Sequence, residues 1–174
     1  GTATITATLG KVSATITVTV KNPSITAKAD SSVIYTKSKT TTKINVVKDG
    51  VTGNATFRSS NTKVATVSAN GTVKAKKAGK VNITVQVGNY KQVVKITVKK
   101  PTMKLVKSSA KLKKGKKVTI KVKAAPVSKV TFKSSNKKVA TVSSKGVVKA
   151  KKKGTATITV KCNGITKKFK VTVK

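Results

Sequence analysis

The chain has 174 residues and a formal net charge of +38 at pH 7, since 40 residues are Lys or Arg and only 2 are acidic. It contains no histidine or glutamate, so Asp30 and Asp49, which we interpret as solvated loop residues, are its only side-chain carboxylates. Groups for acid–base catalysis or for holding a metal are almost lacking. No run approaches the roughly 20 apolar residues of a transmembrane helix. This composition predicts no catalytic, cofactor-binding or metal-binding residue and no membrane span in this segment.

The first residues predict a β-hairpin, because apolar and polar side chains alternate strictly in two runs joined by a glycine turn. The positions expected on its buried face are Ala3, Ile5, Ala7, Leu9, Ile16, Val18 and Val20. Residues 1–22 match the end of each later repeat, so we interpret them as the C-terminal hairpin of a truncated module. A lone hairpin is marginally stable in water. We therefore expect it either to rest against the second module, or to lack a front half that another chain supplies or that cleavage removed.

The rest of the chain consists of two whole modules, at residues 23–100 and 101–174. The stretch FRSSNTKVATVSANGTVKAKKAG at 57–79 returns as FKSSNKKVATVSSKGVVKAKKKG at 132–154, without a gap. Only the tripeptides KNP and KKP separate the modules. Because no Gly/Ser tract lets them swing, we expect an elongated, stiff rod in which neighbouring modules of the same chain contact each other.

Within each module the apolar residues again alternate, which predicts strands with one buried face. The positions on that face are Val81, Ile83, Val85, Val87, Val94, Ile96 and Val98 in one module, and Ala156, Ile158, Val160, Cys162, Phe169, Val171 and Val173 in the next. Asn70-Gly71 predicts a tight hairpin with both central residues at positive φ. About seven strands per module favour an all-β fold of tandem antiparallel β-sandwiches. The lone Cys162 is interpreted as an apolar core residue.

These motifs resemble the bacterial immunoglobulin-like domains of group 2. The resemblance lies in the run S-S-N-x-x-V-A-T-V at 59–67 and 134–142, a glycine followed by V-x-A at 71–75 and 146–150, and G-x-x-x-I-T-V at 79–85 and 154–160. It extends over the whole chain, and Phe57 and Phe132 stand where the family usually has an aromatic residue. The resemblance implies an immunoglobulin-like fold and a module of bacterial surface proteins. It implies no shared ligand site.

Lysine supplies 39 of the 40 basic residues, and most lysines alternate with apolar positions along the predicted strands. One interpretation is a solvated coat that discourages aggregation. Another is a contact surface for an anionic cell-wall polymer or polysaccharide, and its candidate residues are Lys74, Lys76, Lys77, Lys149, Lys151, Lys152 and Lys153. Specific nucleic-acid binding is not expected, because Arg58 is the only arginine and aromatic residues are sparse.

The sequence therefore favours a non-catalytic structural spacer of a cell-surface or secreted protein, from a Gram-positive bacterium. Two alternatives remain open. The lysine faces could attach the module to anionic cell-wall polymers or polysaccharide, or the rod could belong to the longer chain of an enzyme. No cofactor is expected under any of these hypotheses.

Overall fold

The computed structural model describes residues 1–174, and all of its regular secondary structure is β. The N-terminal hairpin consists of β1 (Thr2–Leu9) and β2 (Val12–Thr19). The middle sandwich consists of β3 (Ser24–Ala29), β4 (Val33–Tyr35), β5 (Thr41–Asp49), β6 (Thr56–Ser59), β7 (Ala65–Val67), β8 (Thr72–Ala75), β9 (Gly79–Val87) and β10 (Tyr90–Lys99). The C-terminal sandwich consists of β11 (Thr102–Leu105), β12 (Ser109–Leu112), β13 (Lys117–Thr119), β14 (Val122–Ala125), β15 (Thr131–Ser134), β16 (Ala140–Val142), β17 (Val147–Ala150), β18 (Gly154–Cys162) and β19 (Ile165–Val173). No helix of the length and apolarity needed to cross a bilayer occurs.

Each sandwich packs two sheets face to face. In the middle sandwich the strand orders are β4-β10-β9-β6 and β3-β5-β8-β7, and all pairs are antiparallel except β4 with β10. The C-terminal sandwich repeats this plan with the order β12-β19-β18-β15 opposite β11-β14 and β13-β17-β16. The tandem antiparallel sandwich predicted from the alternation is thereby confirmed.

The sandwiches contain eight and nine strands, slightly more than the seven or so expected. The leading segment of each repeat crosses from one sheet to the other, so it forms two strands, β3 and β4 or β11 and β12. In the C-terminal sandwich the counterpart of β5 is also interrupted between β13 and β14. Such crossings depend on which edge is free to pair, and the alternation along one strand does not report that.

The predicted core positions of both sandwiches are buried. Ile83 and Val85 are fully enclosed in the middle sandwich, and Ile158 and Val160 occupy the same places in the C-terminal one. Phe169 is the largest fully buried side chain of the C-terminal core. Cys162 belongs to that core, as the alternation predicted, and its thiol donates a long hydrogen bond of 3.7 Å to the carbonyl oxygen of Ser128.

The N-terminal hairpin forms as predicted, but no part of this chain covers the face that was expected to be buried. Its strands pair from Thr2 with Thr19 to Leu9 with Val12, yet every residue is exposed, and Leu9 retains 86% of its accessible surface. One of the two expectations required the hairpin to rest against the middle sandwich, and it does not do so. The physical reason is that alternation provides an apolar face, whereas burial also requires an opposing sheet.

The predicted two-residue turn at Asn70-Gly71 is also wrong in detail. Only Gly71 has positive φ, at 79°, and its amide donates to the carbonyl oxygen of Ser68 at 2.9 Å. This is a wider turn closed by a glycine in the left-handed region. The glycine is required for a second reason, because a Cβ at this position would lie 2.8 Å from Cζ of Phe57. Gly146 and Phe132 repeat the arrangement with the same 2.8 Å contact.

Almost no linker separates the two sandwiches. β10 ends at Lys99 and β11 begins at Thr102, and no strand of one sandwich pairs with a strand of the other. A Cβ placed on Gly164 would lie 3.4 Å from Cδ of Lys37, so the β18–β19 turn touches the middle sandwich. The chain exposes 11988 Å², whereas a compact monomer of 18.1 kDa exposes about 8,100 Å². The molecule is therefore a tandem of separate units and not one compact domain.

Candidate functional site

The seven lysines predicted as polyanion contacts are all exposed, but they lie on two different sandwiches. Lys74, Lys76 and Lys77 lie on β8 and directly after it, and the other four occupy the equivalent end of β17 and the turn that follows. The structure therefore assigns them to two separate groups. Each group lies at the end of its sandwich where β9 or β18 begins.

A second lysine segment, which the sequence-based prediction omitted, lies beside the group on β17. The turn at residues 113–117 contains four lysines around Gly115. The amide of Gly115 donates to the carbonyl oxygen of Ala150 at 2.9 Å, and the amide of Ala150 donates to the carbonyl oxygen of Lys116 at 3.0 Å. In register, Lys117 is directly opposite Lys149. The dense run KKGKK shows in the sequence that this turn is highly charged. The sequence did not show that the turn would lie beside residues 149–153.

The loop containing Lys137 and Lys138 adjoins the same lysines. The amides of Lys151 and Lys152 both donate to the carbonyl oxygen of Val139, at 2.8 Å and 3.3 Å. Residues 113–117, 137–138 and 149–153 together form what we call the basic end surface. It contains ten lysines, and all of them are exposed.

The equivalent surface of the middle sandwich is less charged. Strand register aligns residues 37–41, 62–63 and 74–78 with the basic end surface, and these contain six lysines. Thr41 takes the place of Lys117 and lies opposite Lys74. Directly opposed residues have Cβ atoms about 4.5–5.5 Å apart, and like charges there are destabilising. The repulsion between Lys117 and Lys149 therefore destabilises the C-terminal sandwich, and the middle sandwich lacks this repulsion.

The basic end surface lies at the far end of the C-terminal sandwich from the junction. Gly154, next to Lys153, pairs with Val173 at one end of β18, and Cys162 pairs with Ile165 at the other end, beside the turn that touches Lys37. The nine residues of β18 separate the two ends by roughly 26 Å. No other part of the described chain covers the basic end surface.

Neither aromatic rings nor carboxylates join this surface. Both tyrosines belong to the middle sandwich, and Tyr90 lies at the end of β9–β10 away from Lys76 and Lys77. Asp30 accepts a 2.6 Å hydrogen bond from the side-chain amide of Asn45, and Asp49 lies at the opposite end of the paired strands β3 and β5. The two carboxylates are about 20 Å apart along the strands. They cannot act together on one bond.

Two immunoglobulin-like sandwiches in tandem, each with a group of exposed lysines at one end, define a class of tandem β-sandwich repeats. The chain belongs to the bacterial Ig-like domain family, group 2, whose sequence model matches residues 17–98 and 100–173. The proposed resemblance is thereby confirmed.

Several known proteins are similar to parts of the chain. Kappa-carrageenase of Pseudoalteromonas carrageenovora is 52% identical over 66 residues, which are 36% of this chain and 17% of the enzyme. The S-layer protein rSbsC(31-844) matches with a TM-score of 0.45 and 21% identity, over 94% of this chain and 30% of that one. A C-terminal fragment of intimin, solved with the intimin-binding domain of its translocated receptor, matches with a TM-score of 0.41 and 23% identity, over 87% and 64% of the two chains. The chain thus spans a small part of the carrageenase and of the S-layer protein.

Proposed function

We propose that the chain is a non-catalytic structural spacer, a stalk segment that holds another domain of a cell-surface or secreted protein away from its anchor. The observation that carries this proposal is the junction between the sandwiches. Only Lys100 and Pro101 separate the last strand of one from the first strand of the next. Proline restricts the backbone of the residue before it to extended conformations, so a linker this short allows little swinging.

The contact across the junction supports the same function. The aliphatic part of Lys37 lies close to Gly164, since a Cβ added at Gly164 would be 3.4 Å from Cδ of Lys37, so the β18–β19 turn approaches the end of the middle sandwich. A spacer needs this kind of end-to-end support because its length is useful only when the modules stay in line. The dispersed carboxylates and the missing histidines support the non-catalytic part of the proposal.

The match to kappa-carrageenase supports a related candidate, in which the stalk belongs to the longer chain of an enzyme. There the matched 66 residues are a small part of a protein that carries an enzyme's name. The spacer function is the same in both cases, and only the domain being held differs.

We further propose a Gram-positive source, since a coat of lysines suits a wall rich in anionic polymers.

Nitroxide distance measurements would test the stalk. We would replace Cys162 by Val, the residue found at the equivalent position 87, and place labels at Lys91→Cys and Lys111→Cys on different sandwiches. Both positions are exposed. We expect one narrow distance distribution, and a 12-residue Gly/Ser insertion between Lys100 and Pro101 should broaden it. A broad distribution before the insertion would contradict the spacer function.

A further inference from the structure

A groove with a volume of about 620 Å³ lies along one side of the C-terminal sandwich, between the edge strand β15 and the facing sheet. We call it the side groove, and its apolar lining consists of Ile120, Val122, Val130, Phe132 and Val142. We propose that the side groove binds an extended polypeptide in which apolar and acidic residues alternate, and that this polypeptide pairs with β15 as an additional strand. This binding goes beyond the spacer function and does not depend on it, since the groove lies within one sandwich.

The open edge of β15 provides pairing groups for such a strand. β15 is the last strand in the order β12-β19-β18-β15 and pairs only with β18. The amide of Ser135 donates to the carbonyl oxygen of Thr157 at 2.9 Å. Because hydrogen-bonded and non-hydrogen-bonded pairs alternate along antiparallel strands, Thr131 and Lys133 also direct their backbone groups at β18. The N–H and C=O groups of Phe132 therefore point to the open side, where a further strand can pair with them.

The side groove lies where the side chains of an added strand would point. Phe132 faces inward, opposite Val160 in the register, and is half-buried. A strand beside β15 would direct every second side chain inward in the same way, into the gap between the two sheets. The side groove occupies this gap, with the buried Ile120 as its floor and the half-buried Val122 and Val142 as walls. Apolar side chains at alternate positions of the partner would fill it.

Both sandwiches leave the same edge open at the same place. At the end of β15 the hydroxyl of Ser134 donates to the carbonyl oxygen of Ala140 at 2.7 Å, so β16 covers the edge there. The middle sandwich repeats this bond between Ser59 and Ala65, also at 2.7 Å. It repeats the opening as well, as a groove of about 430 Å³ beside Phe57. The opening is therefore a property of the repeated module.

The neighbouring sandwich does not cover the side groove. The start of β15, where Thr131 pairs with Lys161, lies beside the β18–β19 turn. This is the end of the sandwich that approaches Lys37 of the middle sandwich. Nevertheless, every residue that lines the side groove belongs to the C-terminal sandwich. The groove is open although a neighbouring module is present at that end.

Charge determines which strand suits the groove. Lys129 and Lys145 line the side groove, where the middle sandwich has Asn54 and Asn70. Lys133 follows Phe132 on β15, so its side chain points outward, and cross-strand pairs of opposite charge stabilise a sheet. Acidic residues at the outward positions and at the ends of the added strand would form such pairs. Only two residues of this chain are acidic, so a segment of another protein suits the groove better than a second copy.

Hydrogen exchange of the full chain tests the proposed pairing directly. The probe is a blocked peptide of about eight residues in which valine and glutamate alternate, and the control peptide has the same composition with its valines grouped together. We expect the alternating peptide to slow exchange of the Phe132 amide by at least about tenfold, while the Lys133 amide, which already bonds to β18, changes little. Equal binding of the two peptides would overturn the proposal. Binding that leaves the Phe132 amide unprotected would also overturn it.

Two pairs of lysine substitutions separate the groove from net charge. Lys129→Asn with Lys145→Asn introduces the residues at the equivalent positions of the middle sandwich. The matched control, Lys104→Thr with Lys137→Thr, also introduces middle-sandwich residues and removes two exposed lysines away from the groove. At about 0.15 M salt we expect at least about a fivefold loss of peptide affinity in the first variant and less than about a twofold loss in the control. Equal losses would overturn the proposal, because net charge alone would then explain the binding.

Two further arms test the backbone pairing and the occupant. Val130 precedes β15 with the same alternation as Phe132, so Val130→Pro removes a donor from the open edge and should weaken binding more than Val130→Ala. Protection of the Cys162 thiol from labelling would show that both variants are folded, and equal affinities of the folded variants would contradict strand pairing. If Val130→Pro does not fold, exchange of the Phe132 amide in the natural sequence decides the same question. Dimers of the free chain that protect this amide without peptide would overturn the acidic occupant.

Discussion

Replacing Gly146 by Ala should strongly destabilise the C-terminal sandwich for two separable reasons. Its φ is +78°, and the left-handed region costs a residue with a Cβ about 1–2 kcal/mol. The new methyl group would also lie 2.8 Å from Cζ of Phe132, and overpacking of this kind costs about 1–3 kcal/mol. We therefore expect a loss of about 2–5 kcal/mol in the free energy of unfolding.

Gly115→Ala is the matched control, because it isolates the backbone part of this cost. Gly115 has φ +83°, but nothing lies within 4 Å of a Cβ placed there. We expect a loss of about 1–2 kcal/mol from the backbone alone. Phe132→Leu removes the ring tip, so in the Gly146→Ala background it should cost less than in the natural sequence, or even restore stability.

The chain provides a separate probe for each sandwich. Cys162 is its only cysteine and is buried in the C-terminal core, so pulsed thiol labelling in urea reports the unfolding of that sandwich. Tyr35 and Tyr90 are the only tyrosines, and both belong to the middle sandwich, so tyrosine fluorescence follows the other unit. If Gly146→Ala and Gly115→Ala shift the labelling midpoint equally, the ring contact contributes nothing and the reasoning is refuted.

Ser134→Ala should lower the free energy of unfolding by about 1–3 kcal/mol, because Ser134 is buried and its hydroxyl donates a 2.7 Å hydrogen bond to the carbonyl oxygen of Ala140. Ser59→Ala should lower it less, because Ser59 is less buried. The reverse order of the two losses in urea unfolding would contradict this prediction. Deleting residues 1–20 should leave the tyrosine-detected midpoint unchanged, since every one of those residues is exposed, and a clear shift would show that the hairpin packs on the middle sandwich in solution. Raising the salt concentration from about 0.01 M to about 0.15 M should increase the unfolding midpoints of both sandwiches. The added salt shortens the Debye length from about 30 Å to about 8 Å and so screens the repulsion between lysines. A fall in either midpoint would show that attraction between charges dominates.

Sequence alone was sufficient to identify the repeat, the two sandwiches and the positions of their cores. Alternation is a local property of an extended chain, because successive side chains point to opposite faces whatever the strand pairs with. For this reason Ile83, Ile158 and even the lone Cys162 were identified correctly as buried. The same local rule also identified which lysines of β8 and β17 point away from the core.

Features that depend on what lies opposite a strand became visible only in the folded structure. The apolar face of β1 and β2 has the same pattern as those of β9 and β10, yet it is exposed because no second sheet covers it. The basic end surface arises in the same way, since residues 113–117 and 149–153 are joined by backbone hydrogen bonds across more than 30 positions. Side-chain pattern determines which face of a strand is apolar or charged. Only the pairing of distant backbone groups determines which of those faces meet.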